Sequence, residues 1–108
     1  MPTMHRPTRE RILQRHRILQ LAIERGDEGF TRRDAAYDVG CYELASRIGE
    51  LEAEGVTFKR APESARNRWG DMVSYVRYRY AGAPLAVLRM LPEDDESLRA
   101  EVERYDAS

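Results

Sequence analysis

The stretch Gly40-Cys41-Tyr42-Glu43-Leu44-Ala45-Ser46-Arg47-Ile48-Gly49-Glu50-Leu51-Glu52-Ala53-Glu54-Gly55-Val56 decides how this 108-residue chain is read. Leu44, Ile48 and Leu51 recur at i, i+4 and i+7 with Ala45 beside them, which predicts a helix of about 12 residues packed on one face. Gly55 ends that helix. Gly40 lets the backbone take the positive φ that a tight turn from a preceding helix requires.

The preceding helix carries its own start signal. Thr31 and Asp34 stand three residues apart, the spacing of a capping-box pair, and predict a short helix over about residues 32–38. Further upstream, Ile12, Leu19 and Ile23, with Ile18 and Ala22 beside them, form the apolar stripe of a helix that starts near Thr8 and stops at Gly26 and Gly29. Arg9, Arg11, Arg15, Arg17 and Arg25 occupy much of its remaining surface. Downstream, residues 56–60 and 72–80 alternate β-branched or aromatic residues with polar ones, the period of a strand. A polar loop with Pro62, Ser64, Asn67 and Gly70 separates them, so the pair predicts a hairpin with a long tip.

Outside this block, residues 1–7 contain Pro2 and Pro7 and little apolar content, and are expected to form a poorly ordered arm. Residues 81–84 suggest a linker and 85–91 are apolar. An acidic helix is expected after Pro92, with Leu98, Val102 and Tyr105 on one face. The fold class that follows is α+β, mainly α: three helices plus a β-hairpin in one domain over residues 8–80. A linker and an acidic C-terminal extension, helical in part, complete the chain over 81–108.

Composition narrows the function classes. Apolar residues make up 42% and charged residues 34%, which suits a globular chain with a densely charged surface. Residues 1–80 hold 15 basic and 12 acidic side chains, whereas 81–108 hold 3 and 7, so a net charge of -1 conceals a basic body and an acidic tail. A basic body is the modest electrostatic footprint of a nucleic-acid binder, and equally of an ordinary solvated surface. The single cysteine, Cys41, allows no internal disulfide, and no apolar run is long enough for a signal sequence or a membrane span; a reducing cytoplasm is expected. His5, His16 and Cys41 lack metal-ligand spacing, so neither metal nor cofactor is expected. Thr8, Ser46, Ser64 and Ser74 have no histidine or acid arranged beside them, and no glycine-rich phosphate loop is present, so an enzyme is not expected.

The order helix, short helix, turn, helix, β-hairpin is the winged helix-turn-helix layout. With Asn67-Arg68-Trp69-Gly70 and the closing Tyr78-Arg79-Tyr80, residues 40–56 resemble a family of small winged helix-turn-helix domains frequent in bacteriophages and prophages. The resemblance covers about residues 10–80. It implies a duplex-DNA-binding module, regulatory in role, with base contacts from the helix that begins near Cys41 and phosphate contacts from the wing. One departure is visible: that helix carries Glu43, Glu50, Glu52 and Glu54 against Arg47 alone.

Tyr42, Glu43, Ser46 and Arg47 fall in the first two turns of the proposed recognition helix, where they would meet base edges; arginine bonds guanine bidentately and glutamate accepts from cytosine. Arg47 suits equally an ion pair to Glu43 or Glu50 on its own helix. Tyr42 suits the core as well, and Cys41 is expected to be a small buried filler. Lys59, Arg60, Arg66, Asn67 and Arg68 concentrate positive charge on the hairpin, suited to a phosphate backbone. Trp69 at its tip would either stack on nucleic acid or fold back onto the hairpin. Arg32 and Arg33 begin a helix and could meet phosphate there. Tyr75, Arg77 and Arg79 share one strand face, as protective charges on an edge strand or as a single-strand platform. Two functions are compatible with these features. One is a sequence-specific duplex-DNA regulator, a dimer if its target is palindromic. The other is a protein-interaction module, such as an antirepressor or an inhibitor of a host nucleic-acid-binding protein, whose acidic tail suits a basic partner.

Overall fold

The computed structural model describes residues 6–91 and 100–104, with side chains described from residue 14 onward. Residues 1–5 of the expected arm, the side chain of Ile12, and Leu98 and Tyr105 of the expected acidic helix lie outside them. Helix α1 runs Arg6–Arg25, two residues earlier than the sequence suggests, with Pro7 in the first turn, where its missing N–H breaks no helical bond. A 3-10 turn, Gly26–Glu28, leads into strand β1, Phe30–Thr31, and then α2, Arg32–Val39. The expected capping box is present: Asp34 N donates to Thr31 Oγ1 at 3.3 Å and Thr31 N donates to the Asp34 carboxylate at 2.9 Å. Gly40, at φ 74°, closes α2 in the left-handed conformation, and its N–H reaches back to the Ala36 carbonyl at 3.1 Å.

Helix α3 spans Leu44–Ala53, with Cys41, Tyr42 and Glu43 in the turn before it. The expected start near Cys41 is therefore three residues early. Strands β2, Thr57–Arg66, and β3, Met72–Gly82, form an antiparallel hairpin registered from Phe58↔Tyr80 out to Arg66↔Met72. The wing is longer than residues 56–60 and 72–80 suggest, and its tip is correspondingly short. Pro62 interrupts nothing, because the sheet order β1-β3-β2 makes β2 an edge strand with one side of its ladder in solvent.

Strand β1 has no signal in the sequence, and it changes the standing of its neighbour. Phe30 and Thr31 pair with Tyr78 and Arg77, so β3 is the central strand rather than an edge. Arg77 and Arg79 accordingly do not guard an open edge at that point. Arg79 Nε donates to the Asp27 carbonyl at 2.8 Å and Arg77 Nη1 to the Glu28 carbonyl at 3.2 Å, clamping the turn that delivers β1.

The core is built where these elements meet. Ile18, Leu19 and Ala22 of α1 face Leu44, Ile48 and Leu51 of α3, with Phe30, Cys41 and Phe58 completing the layer. Phe30 is fully buried, stacked against Tyr78 at 5.7 Å and edge-on to Phe58 at 6.2 Å. Burial pushes the Cys41 thiol up, as fits a filler rather than a nucleophile. Ala83 of the expected linker is buried in this core, as are Val87, Leu88 and Leu91 of the apolar stretch after it, in and after a short helix α4, Leu85–Leu88. Residues 100–104 are helical; Glu101 is buried and accepts from the Tyr80 hydroxyl, and Val102 packs against the core.

Candidate nucleic-acid interface

Helix α3 presents a different face from the one its sequence suggests. Arg47 is only 5% exposed, so it does not project toward a groove. Its position explains this: with Leu44, Ile48 and Leu51 it completes i, i+3, i+4 and i+7, placing it inside the apolar stripe. Its guanidinium is held by Glu50 at 3.3 Å, and its Nε has no partner among the described residues. The ion pair within the helix is the arrangement adopted.

The acidic residues of α3 are likewise committed. Arg15 of α1 bridges to Glu54 at 2.7 Å and Glu50 at 3.4 Å, tying the two helices together. Beside it, burial and the charge of Arg15 hold the His16 imidazole below its usual range. Arg60 of β2 grips Glu52 with both Nη atoms, at 2.9 and 2.8 Å, and holds that carboxyl below the usual range. The apparent excess of carboxylates over cations thus largely vanishes. What α3 and its entry turn expose is Tyr42, Glu43, Ala45, Ser46, Gly49, the Arg60-paired Glu52 and Ala53, a surface of mostly small residues with no cation of its own.

The cations gather elsewhere. A cleft of about 450 Å³ lies between the N-terminus of α2 and the wing, lined by Arg32 and Arg33 on one wall and Arg66, Asn67 and Arg77 on the other. Ala65, Val73 and Tyr75 complete the wing wall. Arg32, Arg33 and Arg66 are exposed. Arg77 is neutralised by Glu63 at 3.0 Å, and the nearby Asp34 carboxylate, besides its capping-box hydrogen bonds, lies 3.9 Å from the Arg25 guanidinium. The three exposed guanidiniums therefore set the charge of this cleft, which suits a polyanion. Helix α3 contributes nothing to its lining.

A family model described as the winged helix-turn-helix domain matches residues 13–81. The chain belongs to that family. No curated protein and no solved structure matches the chain. Winged helix-turn-helix domains are DNA-binding modules, typically without enzymatic activity, and the three helices followed by the β2–β3 wing place this chain among them. No helix among the described residues is long and apolar enough to cross a membrane.

Within the winged helix-turn-helix frame, the remaining sequence-derived candidates separate clearly. Tyr42, expected to suit either core or surface, is 72% exposed, and Glu43 and Ser46 are exposed beside it. Lys59 is exposed on the wing, whereas Arg60 is spent on Glu52 and lies over the Tyr78 ring at 5.3 Å. Asn67 shapes the tip, where its Oδ1 accepts from Trp69 N and Asp71 N, both at 3.0 Å. Trp69 does not fold back; it is 73% exposed with the Arg68 guanidinium 4.4 Å above its ring. Tyr75 and Val73 are cleft residues that sequence reasoning does not single out as such; the signal is their two-residue spacing with Arg77 on one strand face.

One prediction follows from Arg47. Arg47→Met is expected to keep stability within about 1 kcal/mol, since the methionine fills the same place in the apolar stripe and the part-exposed Glu50 keeps Arg15 as an ion-pair partner. It should leave the ranking of duplex sequences unchanged. Glu50→Ala strands the buried guanidinium, also takes a partner from Arg15, and should cost about 3 kcal/mol or more. Denaturant midpoints and competition binding across a duplex panel check both; an altered base preference in Arg47→Met would return Arg47 to the reading surface.

Proposed function

We propose that this protein is a sequence-specific duplex-DNA-binding regulator that holds a phosphate backbone along the cleft between α2 and the wing. The observation that carries this reading is the meeting of Arg32 and Arg33 with Arg66 across that cleft, with Lys59 and Arg68 exposed on the same wing. Phosphate contacts of this kind fix register and supply affinity without reading sequence. Base reading is assigned to Tyr42, Glu43 and Ser46, where the glutamate can accept from a cytosine amino group and the small exposed neighbours allow close approach of the helix. A palindromic target would call for two copies. A phage or prophage setting is supported only by the resemblance at residues 40–56, 67–70 and 78–80.

Affinity for a mixed-sequence duplex at low salt, repeated at rising salt, tests this. Neutralising roughly three to five phosphates predicts a log–log slope of about -3 to -4.5. A flat response would reject it. A second reading, a protein-interaction module, is favoured by one observation: with Arg47 buried, the exposed face of α3 carries no cation. That reading expects no retention of duplex at low salt and a single stoichiometric protein partner on that face.

A further inference from the structure

Resting on the duplex-binding reading, we infer that the wing tip is a wedge: Trp69 enters the minor groove, unstacks one base step and bends the duplex. Three features of the tip lead there. Trp69 is left 73% exposed, although a tryptophan gains most by burial, and Met72 and Val73 behind it are 60% and 46% exposed. The turn that carries it is locked. Asn67 N donates to the Asp71 carbonyl at 2.8 Å, Asn67 Oδ1 caps two backbone N–H groups, and Arg66 Nη1 donates to the Gly70 carbonyl at 2.8 Å. A turn ordered in advance loses little entropy on insertion. One face of the indole is covered by Arg68 and the other is open, a half-sandwich that accepts a second flat group.

Reach and charge select the partner. The last five register pairs, Pro62↔Val76 to Arg66↔Met72, extend past Tyr78, which still packs on the core. At about 3.3 Å per residue they carry the tip roughly 15 Å outward, twice the depth of about 7.5 Å of a minor groove. Arg66 and Arg68 flank the indole in sequence against one carboxylate, Asp71, so an apolar group stands in a tip whose collar is net cationic. A lipid or apolar protein pocket would match the indole and waste the collar; a base step between two phosphate strands matches both. Insertion of an apolar side chain at a step opens it and kinks the duplex toward the major groove. The cost is lowest at pyrimidine–purine steps, so duplexes containing TA or CA steps are the preferred substrates.

Trp69 is the single tryptophan of the chain, so its emission reports on the tip directly. The experiment titrates the full chain with mixed-sequence duplexes carrying a TA step with 2-aminopurine, or an A-tract in its place, and end labels for energy transfer. The expected result is quenched Trp69 emission, brighter 2-aminopurine and shortened end-to-end distance, all stronger for the TA duplex. Trp69→Ala should weaken binding about tenfold or more, abolish the shortening and leave the salt slope unchanged, because the side chain removed is uncharged. Trp69→Phe, which has no tryptophan emission, should retain part of the 2-aminopurine brightening and part of the shortening. Salt-sensitive binding with unchanged emission and unchanged duplex length would overturn the wedge and leave the DNA-binding reading standing. Absence of duplex binding at low salt would overturn both.

Discussion

Replacing Arg32, Arg33, Arg66 and Arg68 together with alanine is expected to lower duplex affinity by on the order of a hundred- to a thousandfold near physiological salt. It should also flatten the log–log salt slope by about 3 to 4, roughly 0.9 for each phosphate that is no longer neutralised. The loss should be nearly the same for every duplex sequence, since these side chains meet phosphates rather than bases. Arg32 and Arg33 leave from the exposed first turn of α2, and Arg66 and Arg68 from the end of the wing, so the substitutions leave the core intact. Arg66 does bond the Gly70 carbonyl, and the circular dichroism spectrum of the variant checks that the tip and sheet persist. The lysine counterpart of the four keeps the charge and should keep most of the slope. Unchanged affinity in the alanine variant would remove the cleft from the binding surface.

The second large effect concerns folding. Gly29→Ala is expected to cost about 3 kcal/mol or more, a large share of the roughly 5–15 kcal/mol typical of a small domain. Gly29 sits at φ 72° and ψ -172°, a conformation that L residues scarcely adopt. A Cβ there would also stand 2.6 Å from the Tyr78 carbonyl oxygen, a backbone atom of the central strand that cannot step aside. Relief of that clash would separate β1 from β3 and withdraw Phe30 from its stack with Tyr78. Gly40→Ala is the control. Gly40 has φ 74° but open space around its Cβ position, so it should lose only the left-handed penalty of about 1–2 kcal/mol. Chemical denaturation of the two variants side by side checks the order; equal losses would show that the close approach at Gly29 contributes nothing.

These outcomes bear on how the domain works. The three interhelical and helix-to-wing ion pairs, Arg15–Glu54, Arg15–Glu50 and Arg60–Glu52, neutralise carboxylates of α3 and its C-cap while fixing that helix to α1 and to the wing base. The exposed cations that line the cleft and its rim, Arg32, Arg33, Arg66 and Arg68, stand on α2 and the outer wing. Affinity and base reading are thus assigned to different elements, which is why the quadruple arginine variant and substitutions at Tyr42, Glu43 or Ser46 should separate cleanly in a binding assay.

Local signals alone were enough for the order of the three helices and the hairpin, for the core stripes of Ile18, Leu19 and Ala22 and of Leu44, Ile48 and Leu51, and for the Thr31–Asp34 cap. Each depends on residues within one or two turns of each other, a range over which backbone geometry dictates who faces whom. The same geometry held the clue to Arg47, whose place among Leu44, Ile48 and Leu51 outweighs its charge. Tertiary structure alone decided the rest. Two residues, Phe30 and Thr31, are too few for any period, and become a strand only because β3 offers a ladder. Pro62 resembles a break until β2 is known to be an edge. Whether a given arginine is free for phosphate or consumed by a carboxylate depends on partners brought from far along the chain, such as Glu50, 35 residues from Arg15. Local sequence encodes which side of an element is apolar; only the packed chain determines which charges cancel.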